Sequence, residues 1–207
     1  MPTPAPDASP RLMAALAAFD AANARDPNLE FADGAHQPRE LLYAQRLTEW
    51  VLRLRPDASE ALRLAARCQH ICRWEIPRNR YPADRAGYLR WRRDLQRFHA
   101  SRSGEILGAV GYDPGTIARV QALNLKQDLA TDPECQTLED ALCLVFLQYQ
   151  LGDLANRTEE PKIINAIRKS WAKMSPAGRD AALRLDFTPG ERRLLEAALR
   201  PEPPSSP

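Results

Sequence analysis

Apolar residues recur along this chain at three- and four-residue intervals almost from end to end. Leu12, Leu16, Phe19 and Ala22, with Met13 alongside, mark one helical stripe; Leu41, Ala44, Leu47, Val51 and Leu54 mark a second, with Pro38 as its first residue. A third segment begins after Pro56, where Asp57 and Glu60 read as an acidic form of capping box. Its stripe is Ala61, Leu64, Ala65, Cys68, Ile71 and Cys72. A long fourth runs from about Gly87 to Ala109, and Asp113-Pro114 starts a fifth ending near Leu125. Thr137 with Asp140 opens a sixth, the strongly apolar "ALCLVFLQYQL". Helices at 162–173, 176–184 and 189–199 follow, the last two opened by the hydroxyl-proline pairs Ser175-Pro176 and Thr188-Pro189. No segment shows sustained alternation with β-branched enrichment and hairpin turn residues. The pattern predicts an all-α fold: a compact, single-domain helical bundle over residues 11–200.

Composition adds the ends and the charge. "MPTPAPDASP" (1–10) and "PEPPSSP" (201–207) hold too little apolar surface to offset chain entropy and are expected to be disordered tails. The N-terminus has neither a basic nor an apolar region of a secretory signal, and no run approaches the length of a membrane span. Four unpaired-looking cysteines (Cys68, Cys72, Cys135 and Cys143) suit a reducing cytoplasm, so a cytoplasmic protein with no membrane partner is expected. Net charge is only +2, which excludes a uniformly basic nucleic-acid coat protein. Its distribution matters more. Arg67 to Arg102 carries ten arginines against the three acids Glu75, Asp84 and Asp94, which points to an anionic partner.

The densest chemistry lies in "RCQHICRWEIPR", Arg67 to Arg78. At about 100° per residue, His70 falls almost opposite the apolar stripe of the third helix, flanked by Arg63, Arg67 and Trp74. The bland reading is an exposed histidine among surface arginines. Against it, Trp74 shares the face of His70, and Pro77 ends the helix so that Arg73 and Arg78 flank a terminus. Tyr81, Tyr88, Trp91 and Phe98 then alternate with further arginines. Arginine binds planar oxyanions bidentately and stacks on aromatic rings, so the alternation suits phosphate esters or bases. His99 is a second candidate. Glu139 and Asp140 are a third, since acids opening so apolar a helix need a cationic partner, although Thr137-x-x-Asp140 also reads as a cap.

The string "ELLYAQRLTEWVLRL", with "QHICRWEIPR", "YPADRAGYLRWRRDLQRFHA", "GYDPGTIARVQAL" and "TLEDALCLVFLQYQL", resembles the bacterial and fungal family known as domain of unknown function 4202. The resemblance covers nearly everything between the tails and implies no established activity. The order of features is also similar, more distantly, to that of the HD phosphohydrolases, helical enzymes whose metal is held by a histidine, a His-Asp pair and a later aspartate. "LRLAARCQHIC" resembles their pair-bearing helix with Gln69-His70 in place of His-Asp, "FHASRSGEIL" their accessory-histidine helix with His99, and "TLEDALCLVF" the segment of the last aspartate, here Asp140 or Glu139. Tyr43 stands where their first histidine would. That resemblance implies a divalent metal (Mn, Mg, Fe or Zn) on His70, His99 and Asp140, with His70, His99 and Asp140 catalytic. A rearranged mononuclear site and a dead site that still binds a phosphorylated ligand through Arg67, Arg73 and Arg78 both fit it.

"AKMSP" at Ala172–Pro176 is faintly like the KMSKS loop of class I synthetases, but Ser175-Pro176 is a helix cap and no nucleotide-binding β/α pattern is present. Glutamyl-tRNA synthetase activity is rejected. The expectation is an HD-like helical protein binding a phosphorylated small molecule or nucleotide in an Arg/His pocket. Arg67, Arg73 and Arg78 would clamp phosphate, Trp74 would wall the pocket, Glu139 would line it, and metal-dependent phosphohydrolysis is the implied reaction. The alternative is a non-catalytic RNA (tRNA) binder using the Arg67–Arg102 surface.

Overall fold

The computed structural model describes residues 9–200. The expected tails fall largely on residues 1–8 and 201–207, outside the described residues. The chain forms two compact units, one ending at Leu138 and the other beginning at Glu139.

In the first unit, α1 (Pro10–Asn23) starts where the Ser9 hydroxyl accepts the Leu12 N–H. A hairpin follows, β1 (Leu29–Ala32) paired antiparallel with β2 (Ala35–Pro38). Next come α2 (Arg39–Leu54), α3 (Glu60–Cys68), two short 3₁₀ turns at 73–75 and 78–80, α4 (Arg85–Val110) and α5 (Pro114–Asn124). Helix α3 packs against α1, α2 and α5, while α4 packs against α1 and α5. Phe19, Leu47, Val51, Leu62, Ala65, Ile71, Leu107 and Leu123 are wholly buried between them. The helical stripes therefore meet as the 3.6-residue period requires.

The unit boundary lies within α6 (Pro133–Val145). A π-helical turn at Phe146–Gln150 continues it, followed by α7 (Leu151–Arg157), α8 (Glu160–Lys173), α9 (Pro176–Leu183) and α10 (Pro189–Leu199). In the second unit α10 packs on α7 and α8, burying Leu151, Ile163, Ile167, Leu194 and Leu195. Both hydroxyl caps form as expected, and Thr188 with Glu191 makes a complete capping box.

The helical class holds, with one short element the helical pattern did not show, the hairpin. Its turn is Asp33-Gly34, with φ of 52° and 80°, the left-handed pair that a two-residue hairpin turn requires. Four-residue strands with exposed Leu29 and Phe31 give no usable alternation. Three helix starts also move. Pro38 is the N-cap of α2 rather than its first residue. Ser59, not Asp57, caps α3 by accepting the Leu62 N–H. Helix α6 starts at Pro133 because the Asp132 carboxylate takes the Glu134 and Cys135 N–H groups; Thr137 instead returns its hydroxyl to the Pro133 carbonyl and caps nothing.

Candidate functional site

Helix α3 ends at Cys68, earlier than the stripe predicts, and that early stop positions the site. Residues 69–72 turn away, with Cys72 left-handed at φ 50°, its N–H held by the buried Asn23 side-chain carbonyl of α1. The helical projection therefore does not extend to His70. Its ring turns inward and stacks on Tyr43 of α2, centroids 4.2 Å apart and planes 15° from parallel.

Four polar side chains meet there. The Glu40 carboxylate, on the first turn of α2, lies 3.6 Å from His70 Nδ1 and 4.0 Å from Arg73 Nε. Arg73 Nη1 donates to His70 Nε2 at 3.3 Å, which leaves the His70 proton on Nδ1, facing Glu40. His99 comes in from α4, its ring centroid 5.8 Å from that of His70. Its Nδ1 donates to the Ile71 carbonyl at 2.8 Å, so the lone pair sits on Nε2, and Nε2 is buried with no hydrogen-bond partner among the described residues. The Arg73 guanidinium lies 5.2 Å above the ring of Trp91, whose indole N–H donates to the Ile76 carbonyl. Glu40 is anchored in turn: its N–H donates to Asp26, whose other oxygen accepts both N–H groups offered by Asn28.

Burial dominates the electrostatics. It pushes the Glu40 carboxyl up to about 7, against the pull of Arg73. Burial, reinforced by the charges of Arg73, Arg92 and Lys126, holds His70 well below the ordinary histidine value. His99 is brought down to about 3, mostly by burial and then by its neighbour His70. Near neutral pH both imidazoles are therefore uncharged, and Glu40 is the group poised to exchange a proton.

The other predicted residues fall elsewhere. Arg67 turns to α1, with Nη1 3.6 Å from Asp20, and burial lowers the Arg67 pKa while raising that of Asp20. Arg78 also lies over Trp91, 6.0 Å from its centroid, but donates to the carbonyls of Tyr81 and Asp84, which secures the loop leading into α4. Trp74 is half-buried, and the ring beneath Arg73 is Trp91 instead. Glu139 and Asp140 belong to the second unit. Glu139 pairs with Lys173 at 3.3 Å; Asp140 accepts the Ser175 N–H at 2.8 Å and the Ser175 hydroxyl at 2.5 Å, packed so closely on Gly178 that a Cβ there would stand 2.6 Å from its carboxyl carbon. The acid that meets the histidines is Glu40. It escaped the sequence reading although it stands three, four and seven residues before Tyr43, Ala44 and Leu47, on the buried face.

Among the described residues no group of three or more His, Cys, Asp or Glu side chains is arranged to hold a metal ion. Arg73 occupies the Nε2 side of His70, where a guanidinium would oppose a divalent cation. The residues present suit an anion or a hydrogen-bonding ligand better. None of the four cysteines forms a disulfide and all are buried; burial raises the Cys68 thiol to about 12, so it is an inert core residue. The second unit contains a separate cavity of about 380 Å³ beside the Glu160–Arg193 ion pair, lined in part by Asn156, Thr158 and Thr188 and by none of the predicted site residues. Among the described residues no helix is long and apolar enough to cross a membrane.

Comparison with curated proteins and with solved structures finds no match. Neither comparison links the chain to the HD phosphohydrolases, while the helical class stands on the fold itself. Residues 13–195 match the family described as "Domain of unknown function (DUF4202)", and the chain belongs to that family.

Proposed function

We propose that the first unit binds a phosphorylated small molecule, with a nucleotide as the preferred form, where Arg73, His70, His99 and Glu40 meet. The observation that carries the reading is the convergence of a guanidinium, two neutral imidazoles and an acid at the end of α3, within reach of one ligand. Arg73, with about a quarter of its side chain exposed and its other face on Trp91, supplies the planar anion contact. His99 Nε2 is a buried acceptor in need of a donor, such as a ligand hydroxyl or a water held against the phosphate.

Metal-dependent hydrolysis, the further step suggested by the HD-like motif order, needs about three protein ligands and an open position. His70 and His99 supply two. Asp140 is engaged by Ser175 in the other unit, so the binding role is favoured over the hydrolytic one. The test is a panel of nucleotides and phosphate monoesters, assayed for binding by calorimetry and for phosphate release with and without Mn²⁺. Binding without turnover supports the reading, Mn²⁺-dependent release restores the hydrolase, and neither outcome across the panel ends both.

A second reading rests on a separate observation. Arg90, Arg93 and Arg97 of α4 are exposed at helical spacing and form no salt bridge among the described residues. Such a stripe suits the phosphate backbone of RNA.

A further inference from the structure

We infer that the first half of α4 is a surface for RNA with unpaired bases, on which Tyr88 stacks a base while the neighbouring arginines hold the phosphates. The inference rests on the RNA-binding reading of the arginine stripe and names the class of RNA that the surface takes.

The stripe does not stand alone. Tyr88 and Leu89 are 46% and 53% exposed, large apolar side chains left at the surface beside it. On a helix the neighbours of a side chain lie three and four positions away. Arg85 and Arg92 stand three before and four after Tyr88, and Arg85 and Arg93 stand four on either side of Leu89. None of these three arginines forms a salt bridge among the described residues, as with Arg90 and Arg97. The one acid in residues 85–104 is Asp94, and its carboxylate accepts the Tyr81 hydroxyl at 3.0 Å. The Tyr88 ring is placed by the buried Trp91, centroids 5.9 Å apart and planes 50° from parallel, while nearly half of its surface stays open. An exposed ring supported from behind and flanked by uncompensated guanidinium groups is the arrangement that holds a base by its face and its phosphates by charge.

The ring decides between forms of RNA. Arginines alone would hold the backbone of a duplex as well as that of a single strand. In a duplex each base is already stacked on its neighbours, and the A-form major groove is too deep and narrow for side chains to read. Tyr88 and Leu89 would gain nothing there. On a loop or a single strand the bases are splayed out and both side chains have a partner. An anionic membrane would suit the arginines too, but it needs a broad apolar face to bury, and α4 turns Trp91, Leu95 and His99 into the fold.

The probes are an unstructured oligoribonucleotide, the duplex of that strand with its complement, and the same strand with its bases removed. Filter-binding titration of the wild-type chain at low salt should favour the single strand over the duplex by about tenfold, the gain of one stacked base. Tyr88→Ala should weaken the intact strand by about tenfold at every salt concentration and leave the salt slope unchanged, since the slope counts phosphates and stacking does not enter it. Tyr88→Phe keeps the ring and should bind as the wild type does. The abasic strand should bind the wild type and Tyr88→Ala equally.

The strand-against-duplex comparison needs only the wild-type chain, so a variant that misfolds leaves the test intact. Equal affinity for strand and duplex, or a folded Tyr88→Ala that binds the strand as tightly as the wild type, overturns the stacking site and leaves the RNA reading standing. Failure of the wild type to bind any of the three probes at low salt overturns both. Binding to vesicles of anionic phospholipid without binding to RNA assigns the surface to a membrane and overturns both as well.

Discussion

Glu40 illustrates how burial ties the protonation of one side chain to the stability of the fold. Its folded-state pKa of about 7 lies above the model-peptide value of 4.5, so between those values the folded chain holds a proton the unfolded chain releases. The associated stability is fully present below about 4.5 and is lost as pH rises through about 7. The size of the shift corresponds to about 3 kcal/mol. Glutamine keeps the shape and removes the buried charge, so the stability of Glu40→Gln relative to wild type should climb by up to about 3 kcal/mol between about pH 4.5 and 8.5. Urea denaturation at both ends of that range measures it; an equal difference at the two pH values would show that Glu40 is not the buried titrating group. His99 acts with the other sign. Its depressed pKa makes the folded chain the poorer proton acceptor between about 6.5 and 3, so its contribution falls as the solution is acidified. At this scale the sequence was partly legible. His70 stood out by its place opposite the apolar stripe, among arginines, with His99 as a second candidate, and the two rings do meet. Glu40 did not stand out, because an acid in the first turn of a helix has an ordinary dipole explanation that conceals its burial.

At the level of elements, helices proved readable where a stripe ran for three turns or more, and less so where a local hydrogen bond decided the boundary. Helix α4 follows its pattern from Arg85 to the left-handed Gly111 that ends it, and α10 follows its capping box. The stripe of α3, by contrast, runs on through Ile71 and Cys72, both buried, although the helix has already stopped. Apolar periodicity reports burial, and a buried turn can imitate it for one more repeat. The π-helical turn after α6 is hidden in the same way, since "FLQYQ" carries no breaker. The hairpin is the opposite case, with a clear turn signal in Asp33-Gly34 and almost no strand signal on either side. Gly34 sits at φ 80° with nothing within 4 Å of where a Cβ would stand, so a substitution there meets backbone strain and no clash. Gly34→Val should cost about 1–2 kcal/mol, the penalty for holding a bulky L-residue in the left-handed region. Thermal denaturation checks it, and a value near zero would mean that the turn relaxes to another type without disturbing α2.

Over the whole chain a net charge of +2 conceals a local concentration, and the concentration divides into two kinds of arginine. Arg67, Arg73 and Arg78 are drawn into the fold, against Asp20, beside Glu40 and His70, and onto the carbonyls of Tyr81 and Asp84. Arg90, Arg93 and Arg97 stay exposed on α4. The sequence could count these ten arginines but could not sort them, because the sorting depends on where α3 stops and which acids the neighbouring helices present. The two proposed ligands draw on different members. The proposed small phosphate ester would draw on Arg73, whereas the proposed RNA backbone would draw on the α4 stripe. RNA binding releases condensed counterions, so its affinity for total tRNA should fall with added salt at a logarithmic slope of about 0.7–0.9 for each phosphate neutralised. Replacing Arg90, Arg93 and Arg97 together by glutamine should reduce that slope by about 2–3 and leave phosphate-monoester binding unchanged. Glu40→Gln should leave the slope as it is. Filter-binding titrations from low to physiological salt supply the measurement. A slope near zero in the wild type would remove the RNA reading, and a triple variant with an unaltered slope would move the RNA-binding surface off α4.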